Sequence, residues 1–428
     1  MQYSGPSFAA SSTVAQANAI KLSPSTLGLA LLAAIAAPAA HAEIAIDVIA
    51  GSEISFEGLV QADGNWFDND LADLNAGTAT ANGGDGKDSE FDLRRAELVL
   101  KGKGPGNVEW VLGYDAKANK YLDVNARYKL GGNPGTYLQL GQYKQPNSLE
   151  ELSSTKNNDF ISKAAVTNTF AVGRRLGGAV GWGDANWSVT GSVFGRELTR
   201  NLAHGSGYGV RGTWAPVNEG GNIIHLGLSY ADYDTDADTL RLRARPNADL
   251  ATVRLVDTGN LTDTDRVAVL GLEGLWASGP FKVQGEYYRM DADRYRAGNS
   301  DFSGSGWYVS GLWNITGEKF GYKAGVPTTG LPDEPASGMW QLGLRLDNID
   351  LDDGRLLDPA VPGGAPVVDG VLGGKQDILT AGVNWYWRSN FKFALNYVMV
   401  DSSRYSSSAR TVVNDDPNIL EARAQFFW

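Results

Sequence analysis

Cysteine is absent from this 428-residue chain. That excludes disulfide stapling, thiolate catalysis and cysteine-ligated metal sites. Histidine is scarce, at three residues, and the spacing of His204 and His225 does not make a metal-ligand pair. Proline is sparse at 16 residues, so the chain is no low-complexity coil. Past the N-terminus, no apolar run approaches the ~20 residues of a membrane helix. A GxSxG motif is missing as well. Gly207 to Gly212 matches GxGxxG, but within a strand-like run ending at Trp214, not at the strand-to-helix junction that a dinucleotide site needs. Positive charge is also short: 37 Lys and Arg stand against 49 Asp and Glu, a net charge of -12. No nucleic-acid partner, metal or cofactor is expected from such a chain.

The N-terminus reads as a targeting segment. Leu27 to Ala37 is LGLALLAAIAA, preceded by Lys21 and followed by the small-x-small pattern Ala40-His41-Ala42. This predicts a secretory signal peptide over 1–42, with Glu43 as the mature start. The apolar run is too short to span a membrane. An exported chain without cysteine fits a Gram-negative envelope. Residues 43–53 are expected to form a short periplasmic segment without an evident partner.

Glycine and aromatics are plentiful, with 53 Gly and 12 Trp. The last ten residues, ILEARAQFFW, alternate strictly. Leu420, Ala422, Ala424, Phe426 and Trp428 share one face, and Glu421, Arg423 and Gln425 the other. Phe391 to Met399 repeats the pattern. A soluble sandwich would alternate too, so the connections carry more information. Brief connectors at 103–107, 183–186, 278–280 and 388–390 largely take turns with long polar ones at 68–90, 232–264, 291–305 and 401–418. Transmembrane barrels have short periplasmic turns and long outer loops. Thr316 to Gly338 breaks the rule, being long where a turn is due. The prediction is an all-β fold: an antiparallel transmembrane β-barrel over 54–428 with about sixteen strands. Strand starts are expected near Ile54, Trp307, Ile378 and Ile419, among others. Trp182, Trp187, Trp276, Trp307, Trp340, Trp385, Trp387 and Trp428 are expected at strand ends, as an aromatic girdle.

Charge patterning points into the barrel. Arg241, Arg243 and Arg245 recur at period two in LRLRARP, and Arg254 follows. In an extended segment the three guanidiniums share a face and offer oxyanions a row of bidentate donors. Asp232, Asp234, Asp236 and Asp238 also alternate, but lack the glycine turn of a calcium loop, and read as a solvated acidic loop. In SEFDLRRAELVLKGK (89–103), Ala96, Leu98 and Leu100 share the lipid-type face, so Arg95, Glu97 and Lys101 face the lumen. Arg94 has the opposite parity. It is expected either above the apolar band or on a bulge that turns it inward, with Glu97 and Glu109 as plausible partners of the arginine pair.

Several stretches resemble one family. They are FDLRRAEL, VLGYD (111–115), LGQYKQPNSLEELSSTK (140–156), NIIHLGLSYA (222–231), LEGLW (272–276), GVNWYW (382–387) and the aromatic terminus. Together they resemble the phosphate-selective porin O and P family of Gram-negative outer membranes. The resemblance implies a homotrimer of 16-stranded barrels, set in outer-membrane lipid and lipopolysaccharide. It also implies a constriction loop, near 145–173, folded into the lumen. Arg94 and Arg95 match the family's constriction arginines, Ser154 and Lys163 the polar and basic positions of the inward loop, and Arg241, Arg243, Arg245 and Arg254 its arginine ladder. Leu59, Glu109 and Glu151 depart from the pattern, standing where phosphate-selective members carry a cation. The expected function is a passive anion-selective channel for phosphate, pyrophosphate or related polyanions. A weakly selective general porin is the alternative; a barrel enzyme or an adhesin fits less well.

Overall fold

The computed structural model describes residues 44–49, 52–76, 86–131, 135–199, 205–334, 336–359 and 364–428. The signal peptide expected over 1–42 and His204 lie outside the described residues. Sixteen strands form the wall: β1 (Ser52–Asp68), β2 (Ser89–Lys103), β3 (Val108–Asp115), β4 (Lys120–Lys129), β5 (Tyr137–Lys144), β6 (Arg174–Gly183), β7 (Trp187–Phe194), β8 (Gly207–Glu219), β9 (Asn222–Asp234), β10 (Thr264–Ser278), β11 (Phe281–Arg294), β12 (Phe302–Asn314), β13 (Met339–Leu357), β14 (Val367–Trp387), β15 (Phe391–Ser406) and β16 (Asn418–Phe427). Each pairs antiparallel with the next, and β16 closes on β1 through Asn65↔Glu421 and Gln61↔Gln425. Closure pairs every wall strand on both sides, which a span through lipid requires.

The wall is apolar outside and polar inside. On β9, Leu226 is 52% exposed while its neighbour His225 is fully buried. On β16, Leu420 is exposed and Glu421, Arg423 and Gln425 are buried. A water-soluble sandwich would turn these faces the other way, so the pattern identifies a lipid-facing exterior. Aromatic rings gather at the end of the short turns. Trp340 stacks on Trp385 at 5.3 Å, and contacts continue through Trp387, Phe391, Phe426 and Trp428 to Phe56. The abundant glycine serves this belt. A Cβ on Gly58 would fall 2.0 Å from the Trp428 ring, and one on Gly102 would fall 2.1 Å from Trp110. The rings lie flat across bare backbone of a neighbouring strand.

Three expectations need correction. The segment after residue 43 has a partner: Ile44–Ile49 pairs antiparallel with the start of β1, Ile44 opposite Phe56. Trp307 lies within β12, which begins at Phe302, so it is not at a strand end. β14 begins eleven residues before Ile378, at Val367. Its first part carries Gly370 and Gly374 at φ 93° and 96°, and such bulge positions break the period-two signal. The long connector 316–338 does leave β12 at the turn end. However, it folds back as a hairpin (Gly321–Lys323 with Val326–Thr328) against the inner wall. Phe320 buries among Leu149, Ile223, Leu275 and Leu312. Arg211 donates to the Gly325 carbonyl at 2.8 Å, and the Tyr322 hydroxyl meets His225 Nδ1 at 2.6 Å.

Two further segments fill the lumen. Residues 145–173 cross it, carrying α1 (Leu149–Leu152) and α2 (Ala165–Phe170). Their backbone carbonyls accept from the far wall: Asp159 from Asn384, Ser162 from Arg345 and Ile161 from Arg423. Residues 235–263 enter from the loop end as a narrow hairpin. Leu240, Leu242, Ala244, Ala248, Leu255 and Val256 of this hairpin join Phe170, Tyr288, Phe302 and Ile349 in one apolar cluster. The lumen is thereby packed beside β10–β16. Its polar groups on β2–β6, such as Glu97, Lys101, Asp123 and Arg174, keep partial exposure.

Candidate functional site

The adjacent arginines of β2 both reach the lumen because the strand carries a bulge. Gln61 of β1 faces Arg95, and the next residue, Ala62, faces Leu93. Arg94 is the extra, unpaired residue. A bulge inserts one residue and re-aims its side chain, which resolves the parity conflict in the sequence. Arg94 Nε donates to Asp249 Oδ2 at 2.9 Å, and Arg95 Nη1 to Glu97 Oε1 at 3.1 Å. Arg95 Nε is buried and has no partner among the described residues.

Asp249 comes from the tip of the 235–263 hairpin. The same hairpin presents the arginine row. Leu242 and Ala244 point into the apolar cluster while Arg241 and Arg243 stay exposed, as period two requires. Arg241 is held by Asp257 through two hydrogen bonds of 2.8 and 2.5 Å. Arg245 donates to the Ala251 carbonyl at 2.6 Å. Arg243, Arg245 and Arg254 ion-pair with no carboxylate among the described residues. Burial pushes the Arg254 guanidinium down to about 10, and repulsion from Arg245 and Arg243 acts in the same direction. Arg245 is lowered by burial, against the pull of Asp249, with Arg94 and Arg243 adding repulsion. Three like charges therefore converge, and the line continues toward Arg94.

The crossing segment begins at Asn147-Ser148-Leu149-Glu150-Glu151. Ser148 caps α1, accepting from Glu151 N at 3.0 Å, and the first turn is acidic, as helix starts favour. The Glu286 carboxylate on β11 holds this turn. It accepts from Leu149 N at 2.9 Å, Glu150 N at 2.8 Å and Ser148 Oγ at 3.3 Å. The Tyr288 and Tyr308 hydroxyls donate to it as well, at 2.7 and 2.8 Å. Lys163 pairs with Glu151, and Lys144 also approaches Glu151, at 3.9 Å. Burial raises the Glu151 carboxyl, but the Lys163 and Lys144 ammoniums outweigh it and hold the group at about 2. Arg174 pairs with Asp123 at 2.9 Å. Ser154 lies exposed and caps no backbone donor of its turn.

The three positions that depart from the family pattern differ among themselves. Leu59 is buried opposite Glu97, beside the arginine pair. Glu151 is neutralised by its lysines. Glu109 is elsewhere: it faces Lys103, eight residues along β2 from Arg95, about 26 Å away at strand rise. It pairs with Lys129 at 2.5 Å and is no partner of Arg94 or Arg95. The sequence reading missed Asp249, Arg174, Glu286 and the bidentate pair of Arg423 with Asp63, at 2.7 and 2.6 Å. Only Arg423 carried a signal, as a cation on the polar face of a terminal strand.

The profile of the family "Phosphate-selective porin O and P" matches residues 60–428. Porin O of Pseudomonas aeruginosa is 27% identical over 423 residues, covering 87% of this chain and 88% of that one. Among solved structures, the anion-selective porin of Comamonas acidovorans superposes with a TM-score of 0.52 at 11% identity, over 88% of this chain and 100% of that one. The trimer form of OmpT from Vibrio cholerae also gives 0.52, at 9% identity over 88% and 100%. At these identities the structural likenesses concern the fold. Family, inverted wall and lumen together make this an outer-membrane channel rather than an enzyme, and the chain belongs to the phosphate-selective porin O and P family.

Proposed function

We propose that the channel passes phosphate-like oxyanions, gathered by Arg243, Arg245 and Arg254 and handed to the constriction at Arg94 and Arg95. The observation that carries this reading is the convergence of three guanidiniums without carboxylate partners on the inward hairpin. Guanidinium suits phosphate oxygens because it donates parallel hydrogen bonds from a fixed fork. The Comamonas porin is anion-selective by name and the family phosphate-selective by name, which agrees in direction. Ser154 and Lys163 take a lesser part: Lys163 is already matched by Glu151, and Ser154 offers one hydroxyl. In this reading the assembly is a homotrimer, as in the trimer form of the Vibrio OmpT. Outer-membrane lipid and lipopolysaccharide meet its apolar exterior.

A second reading, weak general anion preference, draws on a different observation. Below the hairpin most lumen cations are already matched: Arg94 by Asp249, Arg95 by Glu97, Lys101 by Glu57, Lys129 by Glu109 and Arg174 by Asp123. Such a lining binds an anion less tightly than a purely cationic one. The test is the triple variant R243A/R245A/R254A in planar bilayers. Anion conductance should fall, most at 0.01 M salt, where the Debye length is about 30 Å against about 10 Å at 0.1 M. Unchanged conductance and reversal potential would remove the hairpin from the permeation path.

A further inference from the structure

Asp249 is an acid placed among the cations that an anion channel would reserve for its cargo. Its seat is built. Arg245 donates to the Ala251 carbonyl at 2.6 Å, Ala251 N to the Ala248 carbonyl at 3.2 Å, and Thr252 N to the Leu74 carbonyl at 2.8 Å. Gln376 Nε2 donates to the Arg245 carbonyl at 3.2 Å, and Ala248 and Ala251 are buried on either side. The tip therefore presents the carboxylate rigidly. It meets Arg94 Nε at 2.9 Å, and Arg423 and Arg95 are close enough to act on it electrostatically. One donor of Arg95 stays unused: among the described residues its Nε is buried without a partner.

From this geometry we infer that Asp249 is a tethered counter-anion, occupying the cationic constriction that a permeating oxyanion must share or capture. Arg94 and Arg95 face Asp249 and Glu97, so the four charges cancel. Glu97 sits two residues along the same strand and is part of the wall. Asp249 arrives on a separate loop and touches the arginine that the bulge turned inward. A carboxylate oxygen offers the guanidinium the same acceptor chemistry as a phosphate oxygen. The anion therefore competes with a group whose local concentration is fixed by the fold. Strong competitors are oxyanions of high charge, and chloride is a weak one. Asp249 thus sets how tightly cargo is held. Release stays fast, as conduction requires, and tight phosphate binding is forgone. Burial alone would raise this carboxyl. The neighbouring guanidiniums of Arg94 and Arg423 hold it well below the usual carboxylate range, so the counter-anion stays charged at any physiological pH.

The inference rests on the proposed anion path, and the experiment separates the two. Full-length protein in planar bilayers is titrated with inorganic phosphate while chloride current is recorded, for wild type, D249N, D249A and D249E. D249N and D249A should lower the half-blocking phosphate concentration at least ten-fold and move the reversal potential in a chloride gradient toward ideal anion selectivity. D249E, which keeps the charge, should stay near wild type. Half-blocking concentrations within two-fold of wild type for both D249N and D249A would overturn the inference. If R243A/R245A/R254A then still loses anion preference, the anion path stands and only the counter-anion role falls.

Discussion

Glu286 is the residue whose loss should most clearly release the constriction. Its side chain is buried and takes five hydrogen bonds, three of them from the start of α1. In E286A the amides of Leu149 and Glu150 and two tyrosine hydroxyls lose their acceptor. Leaving a buried donor unsatisfied costs roughly 1–3 kcal/mol, so the two amides alone cost about 2–6 kcal/mol of docking free energy. At the low end, the undocked population of segment 145–173 rises roughly thirty-fold, since 1.4 kcal/mol is a factor of ten. Open-channel current noise should increase, and trypsin should cut after Lys156 and Lys163 faster than in wild type. E286Q keeps one carbonyl oxygen for the amide pair and should fall between the two. Wild-type noise together with a wild-type cleavage rate in E286A would refute the reasoning, because the segment would then be held by its far-wall contacts alone.

Two further outcomes follow from the same geometry. Glu151 has its carboxyl held at about 2 against an ordinary value near 4.5. A depressed carboxyl stabilises fully above its ordinary value and less as pH falls through the depressed one. Current noise should therefore grow between about pH 4.5 and pH 2, a rise that E151Q should abolish. Deleting Trp428 removes the ring lying over Gly58 and the link from Phe426 to Phe56 in the aromatic chain. Heat-modifiable barrel on a gel should drop severalfold while export continues, and an undiminished band would contradict the role given to the terminal aromatics.

The wall was legible because its two faces meet opposite solvents. The alternation in ILEARAQFFW or FKFALNYVM needs no tertiary information, so fourteen of the strands read from the sequence begin within three residues of where they are found, and β12 begins five residues before Trp307. The larger exception, β14, starts in VVDGVLGGKQD, where glycine bulges hide the period. Arg94 shows the limit from the other side. Its wrong parity left a place above the apolar band or a bulge open, and only pairing with β1 shows the bulge and which residue is extra. Loop contacts were not legible. Nothing in RARPNADLA singles out Asp249 as the acid that reaches β2, because that contact depends on how a hairpin folds across 155 residues of chain. Glu286 reads as an ordinary lumen-facing residue, and its role exists only once segment 145–173 docks on it. The charge departures Glu109 and Glu151 looked alike in sequence and proved different, since one lies near the turns and the other within the crossing segment.

The central claim is that the lumen selects anions through the inward arginines despite the chain's net charge of -12. The most direct measurement is the zero-current potential of the wild-type channel under a ten-fold potassium chloride gradient, repeated after adding phosphate. The account predicts a potential of anion sign, with chloride current reduced by phosphate in a saturable way. A potential of cation sign, or chloride current indifferent to phosphate, would contradict it.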